Sequence, residues 1–140
     1  MNAGQARRRG LGELSRQYSG TTDALRAART EVVEWLAGHG ADRELRDRAA
    51  LVLSELASNA MQASPGSLYG VRASFVDDGA VVVAVSSSTG GGRPPPREEW
   101  GVPTLRAARG WGLVIVDRLS DDVRVDQPVA GTVVVTATLR

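Results

Sequence analysis

The sequence predicts an α+β domain, a two-layer sandwich with a mixed or antiparallel sheet covered on one face by three helices. Three observations carry that prediction. Two adjacent segments repeat apolar residues at the 3.6-residue period of a helix. Two valine-rich segments alternate on either side of the turn Asp77-Asp78-Gly79, as a β-hairpin does. After a long glycine- and proline-rich stretch come a third helical segment and two more strands. Helices and strands therefore cluster rather than alternate, which favours α+β over a parallel α/β sheet.

The 140 residues suit one domain with one core, and 42% are apolar. No apolar run approaches the roughly 20 residues of a membrane span. A net charge of +1 supplies no field to draw nucleic acid or acidic lipid to the whole molecule, so neither is an expected partner. The run Arg7-Arg8-Arg9 reads as a solvated terminal triplet. With no cysteine, disulfides and thiolate zinc sites are excluded. The N-terminus MNAGQARRRG lacks the apolar segment of a secretory signal, so a cytoplasmic location is the default.

Residues 1–20 read as a flexible N-terminal segment, with scope for a short edge strand over Gly12 to Tyr18; residues 21–140 read as the folded domain. Thr21 or Thr22 can cap the first helix, with Asp23 in its positive first turn. Leu25, Ala28, Val32 and Leu36 mark its inner face, and Gly38 or Gly40 ends it. His39, alone in this turn, is expected to be solvated. Asp42 caps a second helix that runs to about Ala63, where Ser64-Pro65-Gly66 stops it. Strands follow over Tyr69 to Val76 and Ala80 to Ser86. Val71, Ala73 and Phe75 share one face of the first, and Val81, Val83 and Val85 one face of the second.

From Ser86 to Arg109 no period is visible. Gly90-Gly91-Gly92 and Pro94-Pro95-Pro96 mark a loop of about two dozen residues, a length typical of lids and binding loops. Gly110-Trp111-Gly112-Leu113 opens a third helix reaching about Leu119, with Val114, Ile115 and Leu119 as its apolar contacts. Two glycines at a helix start let backbone N–H groups approach an anion, and the helix dipole favours negative charge there. Val123 to Val125 and Gly131 to Leu139 are the last strands.

Within the second helix, LVLSELASNAMQA places Glu55 and Asn59 four residues apart, one above the other beside an apolar face of Val52, Leu56 and Ala60. An acid can accept a proton, and an amide oxygen can ligate a hard cation such as Mg²⁺. Taken alone, the pair also fits an ordinary solvated stripe.

SELASNA, GWGLVIVDRLS and GTVVVTATL resemble the N-box, the second glycine box and the closing strand of the GHKL superfamily of ATPases and kinases, whose nucleotide-binding domain is the Bergerat fold. The resemblance covers about Thr21 to Leu139 and is nearest to the small anti-sigma factor serine kinases. It implies ATP and Mg²⁺ as cofactors, with Asn59 as the Mg²⁺ ligand and Glu55 as general base for a serine hydroxyl of a partner protein. It implies that Gly90, Gly92, Gly110, Gly112 and Leu113 wrap the nucleotide. Ser87 stands where the family usually has an Asp that bonds adenine, with Ser88 the alternative if a bulge intervenes. Ala63 stands where the small branch often has His.

The implied partners are a sigma factor and an anti-sigma factor antagonist, and exposed alternation on Tyr69 to Val76 permits a homodimer. The alternative is a degenerate, non-catalytic module that keeps the fold and binds protein. Phosphorylation of histidine in trans ranks last, because the chain has one histidine and no helical-hairpin phosphoacceptor domain.

Overall fold

The computed structural model describes residues 12–76, 79–88 and 112–140. Strand β1 (Glu13–Tyr18) is followed by helices α1 (Thr22–Gly38) and α2 (Arg43–Ala63) and the hairpin β2 (Tyr69–Phe75) and β3 (Val81–Ser88). Helix α3 (Gly112–Leu119) and strands β4 (Asp122–Val129) and β5 (Thr132–Leu139) complete the chain. The sheet order is β1-β2-β3-β5-β4. All four pairings are antiparallel, which resolves the mixed-or-antiparallel alternative.

Local chemistry sets the helix ends. Thr21 Oγ1 accepts from the Ala24 amide at 3.1 Å, and Asp42 Oδ1 from the Leu45 amide at 2.8 Å. Each satisfies one donor that the first turn leaves without a partner. After α2, Gly66 adopts φ +80°, a left-handed conformation that turns the chain toward β2.

The core lies between the helices and one face of the sheet. Ala28, Val32 and Leu36 from α1 and Ala49, Val52, Leu53, Leu56, Ala57 and Ala60 from α2 form its helical layer. Val71, Ala73, Val81, Val83, Val85, Ala137 and Leu139 line the sheet side. In α3 the buried residue is Val116, with Leu119 packed against the core; Val114 and Ile115 are only half-buried, contrary to the sequence expectation. The other face of the sheet carries small and polar residues, among them Ser74, Ala84, Ser86 and Thr136, around a shallow hollow of about 310 Å³. The Glu13–Arg72 ion pair at 2.6 Å flanks it.

His39 corrects a second expectation. It is half-buried, its Nδ1 lies 2.7 Å from the Trp35 carbonyl oxygen, and its ring is 4.4 Å from that of Trp35 and 5.8 Å from that of Phe75. It closes the end of α1 over an aromatic cluster rather than standing in solvent.

Two tyrosines sit where β1 and β2 meet the helices. The Tyr18 hydroxyl donates to Glu31 Oε2 at 2.5 Å, and the Tyr18 and Tyr69 rings lie 5.8 Å apart. Burial, then the hydrogen bond to Glu31 and its negative charge, push the Tyr18 phenol well above its ordinary value of 10.0; burial alone raises Tyr69. The folded state therefore holds these protons more tightly than the unfolded chain. Their contribution to stability is complete below about pH 10 and is lost as pH rises above it. Urea unfolding at pH 8 and pH 11 is expected to show the loss, with a shallower slope for Tyr18→Phe. Identical slopes for the variant and the parent would contradict it.

Candidate functional site

Helix α2 positions the acid and the amide. Its buried stripe Val52, Leu56, Ala60 fixes the rotation of the helix, so Glu55 and Asn59 fall at the margin of that stripe, both half-buried. The Asn59 amide nitrogen is fully shielded and has no hydrogen-bond partner among the described residues. A buried amide end without a partner costs roughly 1–3 kcal/mol. Folding therefore leaves here a polar group that a ligand can satisfy.

Arg48, in the first part of α2, donates to the Leu119 carbonyl at the end of α3 at 3.4 Å. β3 leaves the sheet at Ser88, beside Tyr69 and Gly70, where the chain arrives from the C-terminus of α2. Helix α3 packs on α2, and its last residue, Leu119, lies against Arg48 in the first part of that helix. Its eight residues span about 10 Å from Gly112.

Ser87 sits opposite Val133 in an unbroken β3–β5 register, so no bulge intervenes. Alternation puts Ser87 on the helix-facing side after Val81, Val83 and Val85, while Ser88 is exposed and turned to the other face. The candidate residues thus stand at the margin of the α2 stripe (Glu55, Asn59), on the helix-facing side of β3 (Ser87) and in the first turn of α3 (Gly112, Leu113). Gly90, Gly92 and Gly110 lie outside the described residues, as do Trp100, Trp111, Arg93 and Arg109.

The donor set suits a shared cation rather than a caged one. Among the described residues no group of three or more His, Cys, Asp or Glu could hold a metal. Mg²⁺ is commonly held by one or two protein oxygens plus substrate phosphates and water, and Asn59 fits that pattern. The Glu55 side chain is half-buried one turn before Asn59. Sequence reasoning missed Arg48 because its partners are main-chain oxygens far along the chain, which no local pattern reveals.

A five-stranded antiparallel sheet under helices, one of which carries an acid–amide pair, is the architecture of a class of nucleotide-binding domains. The sequence profile of the histidine kinase-like ATPase domain matches residues 18–138, and the chain belongs to that family. Among solved structures, the RsbU and RsbW domains of Rv1364c from Mycobacterium tuberculosis are similar at a TM-score of 0.68 and 25% identity. That match covers 92% of this chain and 32% of the other, so the present chain spans about a third of its length. The SiaB–SiaC complex from Pseudomonas aeruginosa is similar in fold, at a TM-score of 0.64 and 13% identity, covering 90% and 88% of the two chains. Among curated protein sequences none matches significantly. Among the described residues no helix is long and apolar enough to cross a membrane.

Proposed function

We propose that this protein is an ATP-dependent regulatory kinase that phosphorylates a serine of an antagonist protein and, in another state, sequesters a sigma factor. The observation that carries the proposal is the shielded amide nitrogen of Asn59, without a partner among the described residues, one helical turn from the half-buried carboxylate of Glu55. Family membership and the likeness to a structure containing an RsbW domain support it.

In this reading Asn59 holds Mg²⁺ through its amide oxygen, and Gly112 brings backbone N–H groups toward the phosphates. Mg²⁺, when bound, neutralises charge on the phosphate oxygens. Glu55 accepts the proton of the serine hydroxyl as its oxygen bonds to the γ-phosphorus; the bond from that phosphorus to the ADP oxygen breaks. Most of the rate gain comes from positioning these groups in a site shielded from water. The open sheet face, with Arg72 and Ser74, leaves room for a homodimer. Isothermal titration with Mg-ATP tests the reading, and absence of binding at millimolar ATP removes it.

One observation favours the second reading, a binding module without catalysis. Ser87 offers an uncharged hydroxyl where the family usually has a carboxylate for the adenine amino group. Ser87→Asp is therefore expected to tighten nucleotide binding by about tenfold or more, since a charged acceptor is worth roughly 1–3 kcal/mol. Titrating the variant beside the parent checks this. An unchanged affinity takes the adenine contact away from position 87.

A further inference from the structure

We infer that Arg48 is a positioning residue that fastens α3 to the body of the domain and so sets where the N-terminus of α3 stands. Its guanidinium donates to the Leu119 carbonyl at 3.4 Å and also to the main-chain oxygen of Arg140, at the end of β5. Leu119 is the last residue of α3, so Arg48 supplies a cationic donor to a carbonyl that the helix itself leaves free.

The turn after α3 is tied from the other side too. The Asp121 amide donates to the Thr138 carbonyl at 2.8 Å, and Asp121 Oδ2 accepts from the Arg140 amide at 2.7 Å. Arg48 ties this turn to α2, the helix carrying Glu55 and Asn59.

The attachment is needed because α3 is short. Eight residues make about two turns, too few to persist alone in water. Among its described side chains Val116 is the fully buried one, and Leu119 adds to the margin of the core. Pinning its C-terminus to α2 and to the end of β5 fixes where the short helix sits, and with it the seat of Gly112. Arg118, also in the last turn, is exposed and supplies charge to the same helix end without this link. The two arginines therefore separate anchoring from dipole compensation.

The primary test uses hydrogen exchange on the full chain without nucleotide and does not depend on the kinase reading. Its reporters are the amides of Val116, Asp117, Arg118 and Leu119, which fall after the four unbonded N–H groups of the helix start. Arg48→Met keeps an apolar stem and removes every donor. It is expected to speed exchange at these four positions by about tenfold or more while amides of Val83 and Val85 in β3 stay as protected as before. Arg48→Lys restores one donor and should fall between the two, and Arg118→Ala should stay within about twofold of the parent.

Unchanged protection of α3 in Arg48→Met overturns the inference. So does acceleration by one common factor across α3 and β3, because that marks a loss of global stability. A second arm rests on the proposed function: Arg48→Met should weaken Mg-ATP about three- to tenfold and leave adenosine, which has no phosphate to meet α3, unaffected. A parent protein that binds no ATP defeats the proposed function and leaves the exchange result standing. Equal weakening of ATP and adenosine would count against a role at the start of α3.

Discussion

Asn59→Ala is expected to weaken Mg-ATP binding by at least about tenfold without unfolding the protein. The amide oxygen is the cation ligand in the proposed site, and the amide nitrogen is shielded from solvent with no partner among the described residues. Losing a hydrogen bond to a charged group costs roughly 1.5–3 kcal/mol, which is about one to two powers of ten in affinity. The effect on the free protein should have the opposite sign or none. Alanine removes a buried polar group that no described residue satisfies, and it is the better helix former by a few tenths of a kcal/mol, up to about 0.7. Titration calorimetry and thermal melts of both proteins check the two halves together. Equal affinities would take Asn59 out of any nucleotide site. A large fall in melting temperature would make the amide a structural group instead.

Leu53→Ala carries the largest expected cost in stability. Leu53 is fully buried on the sheet-facing stripe of α2, in the layer that also holds Val52, Leu56 and Ala57. Truncation there forfeits the transfer energy of the lost carbons and leaves a cavity that a close-packed interior cannot close, together about 3–4 kcal/mol. Against a total of roughly 5–15 kcal/mol for a domain, that is a large share. Leu51→Ala, two residues earlier on the same helix, is the control. Leu51 is 43% exposed, so its removal should change stability by about 0.5 kcal/mol or less. Urea denaturation of the three proteins measures both values. A Leu53→Ala loss below about 1 kcal/mol would mean that α2 packs differently from the arrangement described.

Much of this architecture was legible because the signals are local. Thr21 and Asp42 stand directly before the helices they cap, and valines at 81, 83 and 85 name their own face by alternation. The acid–amide spacing on α2 is equally local, and the helix does turn Glu55 and Asn59 to the edge of the core. Long-range facts were not legible. Nothing near His39 announces Phe75, which arrives from β2 to complete the aromatic cluster. In α3 the run Leu113-Val114-Ile115-Val116 is apolar throughout, so it gives no phase, and only packing buries Val116 more deeply than Val114 and Ile115. β4 runs on past Val125 to Val129 even though it contains Pro128. An edge strand tolerates a proline, because one side of its backbone has no ladder to serve. That β4 is an edge depends on β5 entering between it and β3, a matter of topology that composition does not encode.

The insertion of β5 has a bearing on how the molecule assembles. β5 is an interior strand, and it closes onto β3 across everything from Ser88 to Thr132. Contacts of such sequence separation form late and slowly. The native arrangement of α2, β3 and α3 therefore depends on contacts between distant stretches of chain, and a partly folded chain has no equivalent of it. A ligand held there would bind native molecules alone. At ten times its dissociation constant it would add about 1.4 kcal/mol to their stability, making nucleotide supply a determinant of how long the protein survives as well as of what it does.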